Sequence, residues 1–80
     1  MEFLQKIRVI ERVDGLIKLK STGTADDLSR RLCVSRRSVY NIIELMRSMG
    51  APIEYCQIRR TYYYSYQCDF VLGFVESREL

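Results

Sequence analysis

Apolar residues recur at helical spacing in three stretches of the chain, and the period then changes. Leu4, Ile7, Ile10, Val13 and Ile17 predict a first amphipathic helix from about Glu2 to Leu19. Gly15 lies inside it, costs roughly 1 kcal/mol relative to alanine, and marks a candidate bend or early end. Ser21-Thr22-Gly23 breaks the pattern. Thr24 and Asp27 then have the spacing of a capping box, and Asp26 and Asp27 suit the positive end of a helix dipole. Leu28 and Leu32, four apart, put one apolar face on a short second helix ending at Leu32. Cys33-Val34 forms a turn with Val34 as its apolar plug. Ser35 caps a third helix whose buried stripe is Val39, Ile42, Ile43 and Met46, and Gly50 followed by Pro52 ends it.

After Pro52, Ile53–Ile58 and Thr61–Tyr66 are rich in β-forming residues and are separated by Arg59-Arg60. This predicts a hairpin, although the turn lacks the Asn-Gly or Asp-Gly pair of a two-residue loop. Read as a further strand, the tail points Phe70, Leu72 and Phe74 one way and Val71 and Val75 the other. A strand apolar on both faces needs cover on both. Two readings follow: a third strand packed on the domain's own helices, or a subunit interface. The expected fold class is α+β, a winged helix-turn-helix with three helices, a β-hairpin wing and a short C-terminal strand. Residues 1–66 form the domain, and residues 67–80 are the C-terminal strand and tail, the candidate dimerisation segment.

The third helix carries the candidate chemistry. At about 100° per residue, the face opposite its buried stripe holds Arg37, Asn41, Glu44 and Ser48. Arg36 and Tyr40 flank that face on one side and Ser38 on the other. Arginine suits guanine and asparagine suits adenine in the major groove of DNA. The plainer alternative is an amphipathic helical hairpin with a solvated charged face. Charge distribution bears on this choice more than the net +3 does. Residues 1–24 and 25–50 each hold five Lys/Arg against three acids (+2 each), and residues 51–80 hold three against four (−1). The basic excess lies on the helices, with Arg30, Arg31, Arg36 and Arg37 clustered around the turn, where they can meet phosphates. Arg59 and Arg60 at the hairpin tip either touch a DNA backbone or keep an exposed hairpin from associating.

Eighty residues allow one small core and leave no bulk for a deep catalytic pocket. The sequence has no histidine, no glycine-rich phosphate loop and no paired carboxylates in an apolar surround. An enzyme, a metal and a cofactor are therefore not expected. Cys33, Cys56 and Cys68 are odd in number and lack C-x-x-C pairing. They read as reduced, mostly buried thiols, with a Cys56–Cys68 pairing across the hairpin as the minor alternative. No apolar run approaches the roughly 20 residues of a membrane span. The first residues mix charges evenly with apolar side chains, unlike a secretory leader or transit peptide, so a cytoplasmic location is expected.

The segment TGTADDLSRRLCVSRRSVYNIIELMRSMGAPIEYCQIRRTYYY resembles the winged helix-turn-helix of DeoR-like and WYL-domain bacterial regulators. It is more loosely similar to the repressor domain of biotin protein ligases. The shared features are the capped second helix, the V-S-R-R-S-V-Y opening of the third, the G-A-P-I-E-Y entry to the wing and the aromatic return strand. The resemblance covers roughly residues 3–66. It implies DNA binding through the third helix, with Arg36, Arg37, Ser38, Tyr40 and Asn41 facing the groove and Tyr62 and Tyr64 pointing inward from the wing. Two positions depart from the family: Cys33 stands where the turn usually has glycine, and Thr61 where the wing often has one. The resulting expectation is a sequence-specific DNA-binding protein, a small transcriptional regulator that reads the major groove of double-stranded DNA with residues about 35–49. It would act as a homodimer through Phe70, Leu72 and Phe74. The alternative is a winged-helix protein–protein interaction module without DNA binding, because fold does not fix function.

Overall fold

A computed structural model describes residues 1–74 together with 76 and 77. The elements are α1 (Phe3–Lys18), α2 (Ala25–Leu32), α3 (Arg36–Ser48), β1 (Ile53–Cys56) and β2 (Thr61–Tyr64). This is the α+β arrangement expected, three helices followed by a two-stranded antiparallel hairpin.

The helix ends follow the local chemistry of the sequence. Thr24 Oγ1 accepts from the Asp27 amide at 3.2 Å, and the Asp27 carboxylate accepts from the Thr24 amide at 2.9 Å. The expected capping box is therefore closed in both directions. Gly23 precedes it at φ +72°, and a Cβ there would sit 2.6 Å from Asp27 Cβ, so the box requires glycine. Ser35 Oγ accepts from the Ser38 amide at 3.0 Å and starts α3. Between these helices Cys33 takes the left-handed conformation (φ 56°, ψ 43°) that its glycine-like position demands.

One core joins all five elements. Ile10, Val13 and Ile17 of α1 meet Leu28 and Leu32 of α2, and Val39, Ile42, Ile43 and Met46 of α3, with Ile53 and Tyr62 closing it from the hairpin. Each such side chain contributes about 1.5–3 kcal/mol by leaving water. Val34 packs against this core as the expected plug. The register pairs Ile53 with Tyr64 and Tyr55 with Tyr62, so alternate residues of both strands face inward. Tyr55 and Tyr62 meet edge to face at 4.8 Å. The outer margin of β2 is fastened to the α1–α2 loop, where the Tyr62 amide donates to Thr22 Oγ1 at 2.9 Å. The buried Thr61 hydroxyl also lies 3.2 Å from that of Thr22.

Several expectations are corrected. Helix α1 begins outside the body of the domain, so Leu4 is exposed and Ile7 only half-buried. The helix continues through Gly15 to Lys18. The hairpin stem is shorter than its β-rich composition suggests, and residues 57–60 form a four-residue turn with Arg60 left-handed (φ 52°). The C-terminal strand is absent: among the described residues the sheet has two strands, and 67–74 are irregular. Two contacts carry the tail across α1 instead of along the sheet. Lys18 Nζ holds Asp69 at 2.7 Å, and Phe70 packs half-buried against the core. Phe70 is thus an anchor within the chain, while Leu72 and Phe74 are exposed; Val75 lies outside the described residues. The thiols are less buried than expected. Cys33 is exposed and Cys56 and Cys68 are half-buried, all three free, and Cys56 faces Thr61 across the hairpin. No helix among the described residues is long and apolar enough to cross a membrane.

Candidate nucleic-acid interface

The first three turns of α3 carry the polar face. Arg37, Tyr40 and Asn41 are exposed along it, with Glu44 one turn further on. Their direction is set from beneath, because Val39, Ile42, Ile43 and Met46 are nearly all removed from solvent and fix the helix's rotation. Among the described residues Arg37 makes no ion pair, so its guanidinium keeps its donor fork open.

The neighbouring arginines are differently placed. Arg36 Nη1 reaches the Asp26 carboxylate at 3.2 Å, tying the start of α3 to the start of α2. This pair is solvent-exposed and worth at most about 1 kcal/mol, so a phosphate can compete for the guanidinium. Arg30 pairs with Asp27 at 3.0 Å, and the Thr24 amide, the Thr24 hydroxyl and Arg30, in that order, hold the Asp27 carboxyl below its ordinary range. Arg31 Nη1 donates to the Ser21 carbonyl at 3.2 Å. Ser38 is partly occupied by the helix cap, accepting from Ser35 Oγ at 3.0 Å. Its role here is to help start α3.

Beside α3 an open groove of about 420 Å³ runs between the helix and the hairpin. Tyr40, Arg36, Arg47 and Glu44 line one side, and Tyr55 and Tyr62 the other. Burial pushes the Tyr62 phenol above its ordinary value. Sequence reasoning does not single out Arg47, since in the last turn of α3 it reads as an ordinary helix cation. Here its Nε donates to the Ile53 carbonyl at 3.2 Å and its Nη1 to Glu44 at 2.6 Å. Arg47 therefore fixes the entry of the hairpin relative to α3. At the tip, Arg59 and Arg60 are exposed beside the equally exposed Ile58, and Lys20 from the α1–α2 loop lies near Arg59. The sequence does not reveal Lys20 either, because only the fold brings residue 20 next to residue 59. The structure thus gathers Arg36, Arg37, Tyr40 and Asn41 on one helix, sets Arg30 and Arg31 on α2, and places Arg59 and Arg60 on the hairpin turn.

A family model described as an HTH domain matches residues 8–57, a span from the second turn of α1 through α2, α3 and β1 into the hairpin turn. No curated protein and no solved structure matches the chain. The capped α2, the left-handed turn at Cys33 and the capped α3 are the helix-turn-helix itself, and the match covers well over half the sequence: the chain belongs to the HTH domain family.

Proposed function

We propose that this protein binds double-stranded DNA sequence-specifically and acts as a small cytoplasmic transcriptional regulator. The observation that carries the reading is the exposed Arg37, without an ion pair among the described residues, one turn from exposed Asn41 on a helix whose opposite face is locked into the core. In this reading α3 lies in the major groove, where Arg37 and Asn41 contact base edges and Tyr40 and Arg36 flank them. Arg30 and Arg31 meet phosphates, which position the domain without carrying sequence information. Arg59 and Arg60 on the hairpin turn meet the backbone beside the site. The likeness of residues 3–66 to DeoR-like and WYL-domain regulators supports the same assignment. Two copies pair on a two-fold operator through residues of the 67–80 tail, with Leu72 and Phe74 outward. The polar character of the α3 face argues against a protein-docking module, which would present apolar or acidic residues there. No catalytic role is proposed.

Selection of bound duplexes from a random pool, followed by titration at fixed salt, tests this. Arg37→Ala and Asn41→Ala should each cost about 1–3 kcal/mol on the selected site and relax preference at one position. Arg30→Ala should weaken selected and random duplexes alike. Equal losses on both for Arg37→Ala would refute base reading, and no binding at low salt would favour the docking module.

A further inference from the structure

The hairpin turn departs from ordinary turn chemistry in two ways. Residues 57–60 read Gln-Ile-Arg-Arg, with none of the glycine, proline, asparagine, aspartate or serine that usually makes a surface turn. Arg60 takes the left-handed backbone there (φ 52°), a strain that glycine in its place would avoid. Lys20, on the α1–α2 loop beside Arg59, is left-handed too (φ 54°). The second departure is Ile58, a stiff branched side chain that is 94 % exposed. The turn is held in place on both sides of it. The Arg59 amide donates to Cys56 Sγ at 3.4 Å, and Thr61, which follows Arg60, is bonded to Thr22. A lone exposed isoleucine is ordinary on a protein surface. This one shares its turn with two arginines, with Lys20 close by, and among the described residues none of the three cations makes an ion pair. Such local breaches of the folding rules concentrate where a chain meets its partner.

We infer that the hairpin tip is a wedge: Ile58 enters the minor groove between two base pairs and kinks the duplex beside the site that α3 reads. Arg59, Arg60 and Lys20 then hold the flanking phosphates. This rests on the DNA-binding reading above and adds a deformation of the DNA to it. Charge complementarity selects the occupant. Three unpaired cations around an apolar side chain match a partner that is anionic outside and apolar between its stacked bases. The minor groove is only about 6 Å wide, which suits the tip of a turn. The reach is of the right order as well. Arg47 of α3 holds the Ile53 carbonyl, and four steps of about 3.3 Å carry the chain about 13 Å from there to the turn. The minor groove adjoining α3 would lie about half a helical pitch away, roughly 17 Å along the duplex. An anionic membrane surface matches the charges too, but one isoleucine supplies too little apolar area to hold a domain there. A wedge also selects sequence without hydrogen bonds, because pyrimidine–purine steps unstack most readily. The selected site should therefore carry such a step at a fixed distance from the bases read by Arg37 and Asn41.

Energy transfer between dyes at the two ends of a selected duplex of about 30 base pairs measures the bend. The intact chain should bend it by about 20–90°. Ile58→Asn should keep its circular dichroism spectrum, because Ile58 lies outside the core. It should lose at least about half of the bend and bind that duplex at least about threefold more weakly. A fresh selection with this variant should keep the bases read by α3 and lose the flexible step. Ile58→Leu, which retains the apolar bulk, should still bend the duplex. A duplex that the intact chain binds but leaves straight, or a bend that survives in Ile58→Asn, overturns the inference and leaves the DNA-binding reading standing. Straight DNA together with Ile58-dependent binding to vesicles of anionic phospholipid also overturns it, and would place the tip on a membrane. Failure of the intact chain to bind any duplex at low salt overturns the inference and the DNA-binding reading together.

Discussion

Removing one oxygen atom from Tyr64 tests how the hairpin is fastened to α1. The Tyr64 hydroxyl donates to the Asp14 carboxylate at 2.6 Å, and Lys18 Nζ lies 3.2 Å from the other carboxylate oxygen. Asp14 is 9 % exposed and Tyr64 packs against the core, so the bond is largely shielded. Tyr64→Phe keeps the ring and opens no cavity, leaving the lost hydrogen bond to a charged group, worth about 1.5–3 kcal/mol. The Lys18 pair remains, but solvent screens it and it offsets little of the loss. The net loss should be about 2 kcal/mol. With a urea dependence near 1 kcal/mol/M for so small a domain, the unfolding midpoint followed by circular dichroism should fall by about 2 M. Asp14→Asn should then cost less in the Tyr64→Phe background than in the intact chain, since the two residues share one bond. The pH dependence carries a second signature. Burial first, and then the bond to Asp14, raise the Tyr64 phenol well above its ordinary value. A raised folded value means that its stabilising contribution is complete below about pH 10 and is lost progressively as pH rises from the unfolded value toward the folded one. Tyr64→Phe should therefore flatten part of the alkaline loss of stability. A midpoint shift below about 0.3 M, or an unchanged alkaline slope, would refute the reasoning.

Two further outcomes probe the helix-turn-helix. Cys33→Gly should stabilise by about 0.5–1 kcal/mol in thermal or urea unfolding, because relief of the left-handed backbone outweighs the added freedom of the unfolded chain; a loss of stability would show that the Cys33 side chain makes a favourable contact. Ile42→Ala should cost about 2–5 kcal/mol, comparable with the whole stability of such a domain, and leave the chain largely unfolded by circular dichroism; an unchanged melting temperature would mean that the faces of α3 are misassigned.

The helices are legible in the sequence because their signals are local. Thr24, Asp27 and Ser35 cap within three residues, and the stripe from Val39 to Met46 is periodic within a single helix. The left-handed Cys33 follows from its standing at a glycine position. What the sequence hides depends on distance. Leu4 continues the helical period as well as Ile7 does, and periodicity carries no information about where the covering elements end. The β-forming tail loses its strand to Lys18–Asp69 and to Phe70 in a groove, contacts across fifty residues that no local pattern announces. Arg47 and Lys20 escape notice for the same reason, since their partners are a strand carbonyl and the hairpin turn. The polar residues of α3 are exposed as their spacing predicts, but the pairing of Arg36 with Asp26 and the use of Ser38 in a cap emerge only once the helices are assembled.

The hairpin divides into a stem and a tip with different freedoms. Ile53 and Tyr62 are core, Thr61 is bonded into the α1–α2 loop, and Arg47 holds the first stem carbonyl. Residues 57–60 lie outside these contacts and are exposed throughout. The two parts are therefore under separate constraints. The stem can be altered only together with α1 and α3, while the tip can be lengthened, shortened or recoded at the modest entropic cost of a surface loop. A lineage, or an engineer, could thus vary what the tip meets without renegotiating the core, transplanting tips between such domains as interchangeable cassettes.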